Sequence, residues 1–153
     1  MINIMRQGHI AFRVANLEVS KKFYMDLLGL HVMEQNDEER VVFLGLRDLG
    51  HTVDLVETAD AAVTRPHSEM PPIGTGFHHV GFELETEAEM KAAYDLLKRN
   101  NVKILATMDH GSQQSIYFND PDGNILEVYW QQPNAIEMFA AGRGDEDRPL
   151  SYD

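Results

Sequence analysis

Hydrophobic and polar residues alternate over residues 8–14, where Ile10, Phe12 and Val14 share one face. A period of two predicts a half-buried strand, and it places His9 on the opposite face. The first predicted element is therefore a strand with a histidine on its polar side.

The spacing then becomes helical over about residues 19–28, with Val19, Phe23 and Leu27 one turn apart on the side predicted to be buried. Gly29 ends this helix. Three strands are predicted after it, at residues 30–35, 40–44 and 52–56. The first part of the chain thus has the order β-α-β-β-β.

The pattern restarts after residues 58–76, which have the Pro, Ala, Thr and Gly content of a linker. The second series is predicted as a strand at 77–84, a helix at 87–99, and strands at 102–106, 115–118 and 125–130. Met90, Tyr94 and Leu97 form the apolar face of its helix. After Pro133 a short helix is predicted at 136–141, and the charged, turn-rich residues 142–153 are expected to be loose or held by a neighbouring subunit.

The two series repeat each other in sequence as well as in pattern. His9-Ile10-Ala11-Phe12 is matched by His79-Val80-Gly81-Phe82, and Tyr24 matches Tyr94 at the same offset. A four-stranded sheet with one helix cannot cover both of its faces, so the two copies are expected to pair around a shared cavity. The sequence predicts an α+β fold of two tandem βαβββ modules.

Composition limits the function. The chain has 153 residues and a formal net charge of −12, and no segment clusters the Lys and Arg that nucleic acids or anionic membranes require. Cysteine is absent, which agrees with a reducing compartment. With no long apolar run and no signal-peptide pattern at the start, we expect a cytoplasmic protein with a small-molecule ligand.

The repeated histidines and one acid form a candidate metal site. His9 and His79 open the two copies, and Glu127 follows the turn sequence Asp120-Pro121-Asp122-Gly123-Asn124. Two imidazoles and one carboxylate bind a divalent ion and leave one face of its coordination sphere open, which suits Fe(II). His9, His79 and Glu127 are therefore the predicted metal ligands.

These features resemble the vicinal oxygen chelate superfamily. The likeness rests on the histidine-led strands, on the helix exit Phe23-Tyr24-Met25-Asp26-Leu27-Leu28-Gly29-Leu30, and on the turn before Glu127. It implies an eight-stranded half-barrel of two modules around one metal, which commonly forms a homodimer or higher homo-oligomer. On this basis residues 1–131 form a single domain, with modules at about 8–57 and 77–131, and residues 132–153 form a C-terminal extension.

A second resemblance concerns the reaction. The segment from His110 through Tyr117 to Glu127 is similar to the ring-cleavage signature of type I extradiol dioxygenases, apart from Met108, where a small, amide or β-branched residue is usual. The strand that contains His51 resembles the one with the family's acid–base histidine. The resemblance implies a small catecholic substrate, O2, and Fe(II), or alternatively Mn(II), as the metal.

Each predicted catalytic residue has a chemical role. An imidazole can accept a proton from a catechol near neutral pH and return it later, which is the role expected for His51. His110 would stabilise negative charge that develops on oxygen. Tyr117 would hydrogen-bond to the substrate oxygen.

Two alternatives stay open. In a glyoxalase I-like isomerase Asp54 would be a fourth metal ligand and the metal would be Ni(II) or Zn(II), although in a regular strand Asp54 and His51 should face opposite ways. A non-catalytic binder of the bleomycin-resistance type would need an aromatic-lined acidic groove and no histidine ligands.

Overall fold

A computed structural model describes residues 1–58, 76–142 and 147–153. The chain divides into two compact units, residues 1–64 and 65–153. The predicted linker at 58–76 falls almost wholly outside the described residues. None of the described helices is long and apolar enough to cross a membrane.

The first unit has the predicted β-α-β-β-β order. Its elements are β1 (Ile10–Val14), α1 (Leu17–Leu28), β2 (His31–Asn36), β3 (Val41–Gly45) and β4 (His51–Glu57). They form a four-stranded sheet in the order β1-β4-β3-β2, in which β1 runs parallel to β4 and the other pairs are antiparallel. The last strand therefore lies beside the first, in the centre of the sheet.

Helix α1 starts earlier and faces differently than predicted. The side chain of Asn16 accepts a hydrogen bond from the Val19 N–H at 3.0 Å, so the helix begins at Leu17. Leu17, Ser20 and Tyr24 are its buried residues, whereas Val19 is 53% exposed. Residues two apart on a helix point in nearly opposite directions, so burying Leu17 turns Val19 outward. The helix ends at Gly29, as predicted, with a left-handed φ of 69°.

Strand β4 contains a bulge at Thr52. Val53 pairs with Leu44 and His51 pairs with Gly45 on β3, so Thr52 has no partner in the ladder. An extra residue of this kind reverses the side on which the residues beyond it lie. Its effect on His51 is described with the site.

The second unit repeats the topology and adds a helix and a strand. Its elements are β5 (Val80–Glu83), α2 (Ala88–Arg99), β6 (Ile104–Asp109), β7 (Gln113–Asn119), β8 (Ile125–Gln131), α3 (Ala135–Ala140) and β9 (Arg148–Pro149). The sheet order is β5-β8-β7-β6-β9, with β5 parallel to β8. Met90, Tyr94 and Leu97 of α2 are buried, as predicted.

The C-terminal residues differ from the expectation of a loose tail. The described segment 147–153 lies along β6, with Met108 opposite Pro149 and Asp109 opposite Arg148. Its periodic pattern is too short to detect in the sequence, because only two of its residues form a strand. Backbone pairing and side-chain contacts within the second unit hold this segment.

Candidate metal centre and active site

The two units place a histidine and a carboxylate in the same relationship. His9 directly precedes β1 and His79 directly precedes β5. Two residues further along, Ala11 lies opposite Asp54 in the parallel ladder, and Gly81 lies opposite Glu127. The duplication therefore extends from the histidines to the acids on the last strands.

In the second unit His79 and Glu127 are in direct contact. Nε2 of His79 lies 3.1 Å from Oε2 of Glu127, whose side chain is 5% exposed. The amide of Gln113 donates to the other carboxylate oxygen, Oε1, at 3.2 Å. A methyl group on Gly81 would be 2.9 Å from Oε2 of Glu127. The absence of a side chain at position 81 thus makes room for the longer acid.

In the first unit His9, His51 and Asp54 form a cluster. Nε2 of His9 is 3.5 Å from Oδ2 of Asp54, and Nδ1 of His51 donates to Oδ1 of the same carboxylate at 2.8 Å. The two imidazole rings stack with centroids 4.5 Å apart. The expectation that His51 and Asp54 face opposite ways is wrong, because the bulge at Thr52 turns His51 to the side of Asp54.

The donor set fits a divalent cation. Ligands at right angles, about 2.1 Å from a metal ion, lie about 3 Å apart, and the His79–Glu127 contact of 3.1 Å has this spacing. The potential ligand atoms of His9, His51 and Asp54 all lie within 4.8 Å of one another. Asp54 and Glu127 are buried, and among the described residues neither has an ion pair with Lys or Arg. Buried carboxylates with imidazole partners are typical of metal sites.

Tyr117 and His110 lie beside the His79–Glu127 pair. Nε2 of His110 is 3.1 Å from the Tyr117 hydroxyl, and the Tyr117 ring packs edge-on against His79 with centroids 5.3 Å apart. Burial raises the pKa of Tyr117, and the nearby Glu127 carboxylate raises this pKa further. Tyr117 therefore keeps its proton at neutral pH. The second unit brings together His79, His110, Tyr117 and Glu127.

Sequence analysis missed the carboxylates that hold the two predicted catalytic histidines. Asp54 binds Nδ1 of His51, and Asp147 lies 2.7 Å from Nδ1 of His110. Asp54 lies on the same strand as His51, but regular alternation places residues three apart on opposite sides of a strand. The sequence therefore did not predict their contact. Nothing in the sequence pattern relates Asp147 to His110.

A cavity of about 330 Å³ adjoins His51 in the first unit. Met33, Glu34 and Phe43 line it together with His51. The Phe43 ring meets the His51 ring edge-on, with centroids 5.8 Å apart. The cavity thus combines two apolar side chains with an imidazole and a carboxylate.

A family model described as the Glyoxalase/Bleomycin resistance protein/Dioxygenase superfamily matches residues 6–128. The chain belongs to this superfamily. The match spans both repeats and the predicted ligand positions. It confirms the superfamily resemblance seen in the sequence.

Superfamily relatives of different activities are similar to the chain. The metallothiol transferase FosB of Staphylococcus saprophyticus is 32% identical over 124 residues, which is 80% of this chain and 74% of the relative. Biphenyl-2,3-diol 1,2-dioxygenase 2 of Rhodococcus globerulus is 25% identical, over 79% of this chain and 60% of the dioxygenase. Catechol-2,3-dioxygenase of Bacillus subtilis is 26% identical, over 84% of this chain and 42% of that dioxygenase. The chain thus spans about half of these two dioxygenases.

Solved structures share the superfamily fold. A glyoxalase/dioxygenase from Nostoc punctiforme matches with a TM-score of 0.71 and 23% identity, over 85% of this chain and 93% of that one. The fosfomycin resistance protein FosX from Listeria monocytogenes matches with a TM-score of 0.67 and 18% identity, over 88% of this chain and 98% of FosX. The predicted α+β fold with repeated βαβββ modules is confirmed.

Proposed function

We propose that this protein is a metal-dependent extradiol dioxygenase, which cleaves a small catecholic ring with O2. One observation carries the proposal: the signature residues His110, Tyr117 and Glu127 and the predicted ligand His79 are in successive contact within the second unit. The catechol and biphenyl-diol dioxygenases among the relatives support it. We further propose that the protein works as a homodimer or higher homo-oligomer.

His9, His79 and Glu127 are the proposed ligands of one divalent cation, Fe(II) or alternatively Mn(II). When bound, Fe(II) supplies the electron exchange between catechol and O2 that side chains cannot carry out. The proposal is supported by the buried carboxylate and by its spacing from the His79 imidazole.

His51 is the proposed acid–base residue. Because Nδ1 donates to Asp54, Nε2 is left to accept a proton from a catechol hydroxyl and to return it to the product. The His51 side chain is 44% exposed and lines the cavity with Phe43 and Met33, which gives the ring of a substrate an apolar surface.

His110 and Tyr117 are proposed to act on the oxygen atoms. Tyr117 stays protonated, so its hydroxyl can donate to a substrate oxygen. In its protonated form His110 donates from Nε2 and stabilises negative charge that develops on oxygen during the reaction. Both atoms of O2 end in the product, a hydroxymuconic semialdehyde, after the ring bond next to the diol breaks.

The test is anaerobic reconstitution with Fe(II), followed by O2 and a panel of catechols. We expect a yellow ring-fission product and one O2 consumed per catechol. His51→Phe should abolish the colour and leave metal uptake intact, whereas His31→Phe, a matched change on β2, should keep both. Colour that survives His51→Phe removes His51 from the mechanism. No product with any catechol contradicts the proposal.

A glyoxalase-like isomerase is the second candidate, because Asp54 is buried and lies 3.5 Å from His9. In that case Asp54 joins the three other ligands around Ni(II) or Zn(II), and the reaction is proton abstraction from a thiohemiacetal. Isomerisation of the methylglyoxal–glutathione adduct after loading with Ni(II) or Zn(II) tests it. Thiol transfer to fosfomycin and binding of bleomycin are the corresponding assays for the other superfamily activities.

A further inference from the structure

The segment 147–153 is fixed in register on the edge of the second sheet. Its Leu150 N–H donates to the Thr107 carbonyl at 2.9 Å. The Thr107 hydroxyl donates to the Leu150 carbonyl at 2.6 Å. Together with the ladder pairs of β6 and β9, these bonds specify which residues face each other.

The far end of the segment is anchored by aromatic contacts. The rings of Tyr94 and Tyr152 lie 5.4 Å apart, and the Tyr94 hydroxyl donates to Oδ1 of Asp153 at 3.2 Å. The Tyr152 hydroxyl donates to Gln114 of β7 at 3.2 Å. The segment is therefore attached to both α2 and the sheet.

This register brings Asp147 to His110. One step beyond the Asp109–Arg148 pair, Nδ1 of His110 lies 2.7 Å from Oδ1 of Asp147. The His110 side chain is largely enclosed and only 15% exposed, whereas the Asp147 side chain is 48% exposed. An ionised carboxylate only accepts hydrogen bonds, so the shared proton belongs to Nδ1 of His110.

The other nitrogen of His110 faces Tyr117. Which nitrogen of a neutral imidazole bears the proton is set by the partner of the other nitrogen. With the proton on Nδ1, Nε2 is an acceptor for the Tyr117 hydroxyl at 3.1 Å. In the protonated ring both nitrogens donate, and Asp147 still binds the first of them.

We infer that Asp147 is a positioning residue, which fixes the ring orientation and the Nδ1–H tautomer of His110 and thereby directs Nε2 toward Tyr117 and the substrate oxygens. The kinetic consequence rests on the proposed dioxygenase function. The assignment of the tautomer does not rest on that function, because it follows from the contact between Asp147 and His110.

The test compares Asp147→Ala and Asp147→Asn with Asp153→Asn in the full chain loaded with Fe(II) for kinetics. The tautomer of His110 is read by ¹⁵N NMR of histidine-labelled protein without metal, with its signals assigned through His110→Gln. Asp153 is the matched control, since it is an acid of the same segment that binds Tyr94 instead of His110.

We expect Asp147→Ala to lose the fixed Nδ1–H signature of His110 and to lower kcat about tenfold, with KM for the catechol unchanged within about twofold. Asp147→Asn keeps an acceptor oxygen and should recover part of both effects. Asp153→Asn should match the wild type in both measurements.

Two results overturn the inference. One is an Asp147→Ala protein whose His110 signals and kcat both equal those of the wild type. The other is an Asp153→Asn protein that changes as much as Asp147→Ala does, because general loosening of the segment then explains the effect. If the wild type cleaves no catechol but Asp147→Ala still shifts the His110 tautomer, the proposed function fails and the positioning role stands.

Discussion

Gly81 lies opposite Glu127 in the parallel ladder of β5 and β8, where a methyl group would be 2.9 Å from the carboxylate oxygen Oε2. At the equivalent place in the first unit, Ala11 lies opposite the shorter Asp54. The smaller residue, Gly81, thus faces the longer acid, Glu127, and the larger residue, Ala11, faces the shorter acid, Asp54. The relationship explains how two unequal acids occupy equivalent positions.

Gly81→Ala should therefore displace the Glu127 carboxylate and lower metal affinity about tenfold or more. Fe(II) binding measured by competition with a chelator checks this. Gly8→Ala is the control, because a methyl group there has no atom within 4 Å. Unchanged affinity in Gly81→Ala would argue against Glu127 as a ligand.

Asp54→Asn distinguishes the two candidate functions. If Asp54 only holds His51, Fe(II) stoichiometry should stay at the wild-type value while kcat falls about tenfold, since the uncharged amide orients the base less firmly. Metal analysis and turnover of the same samples are the measurements. Metal loss comparable to that of Glu127→Gln would instead make Asp54 a ligand and favour the isomerase.

Tyr117→Phe should keep the ring packing against His79 and remove the hydroxyl. We expect kcat to fall about ten- to a hundredfold, because a donor to the reacting oxygens is lost. Burial raises the pKa of Tyr117, so the wild-type pH–rate profile should show no limb from this group between pH 6 and about 9. Rates that match the wild type would remove Tyr117 from the mechanism.

Glu57→Gln should change the acid stability of the first unit. Arg40 and then the Leu17 N–H stabilise the ionised carboxylate and lower the pKa of Glu57 from its ordinary value of 4.5. The stabilisation is present above the unfolded-state pKa and is lost as the pH falls through the lowered folded-state pKa. The Tm of Glu57→Gln should thus be below that of the wild type at neutral pH, and the difference should shrink as the pH falls through the lowered folded-state pKa of Glu57.

Thermal unfolding followed by circular dichroism from pH 3 to pH 7 is the measurement. Glu38→Gln is the control, since Glu38 is an exposed acid of the same unit. A constant difference in Tm across this range would contradict the role of the Glu57 charge.

The order of the elements could be predicted because alternation and helical spacing repeat in both halves of the chain. The same patterns did not predict the buried face of α1, since the cap at Asn16 and the burial of Leu17 rotate Val19 into solvent. Pairing of residues 147–153 with β6 depends on a register set by Thr107 and Leu150. Contacts of this kind join segments that are distant in sequence, so no periodic pattern in the sequence indicates them.

The candidate site could likewise be predicted from the sequence only in part. The predicted metal ligands and His110 were suggested by their motifs, and the convergence of the three ligands on one metal ion stays a prediction. The carboxylates behind His51 and His110 were missed because one depends on a bulge and the other on the edge pairing of β9. Motifs identify reactive groups, whereas the tertiary fold decides which partner orients each of them.

The extra residue at Thr52 makes the two closing strands unequal. In the second unit β7 and β8 pair without interruption from Gln113 to Asn119, so β8 has no extra residue like Thr52. Asn124, which is three residues before Glu127 as His51 is three before Asp54, donates to Asp120 instead. An insertion of a single codon can therefore bring a histidine beside the acid in one copy of a duplicated module. Divergence between the halves then depends on the length of a strand as well as on its composition.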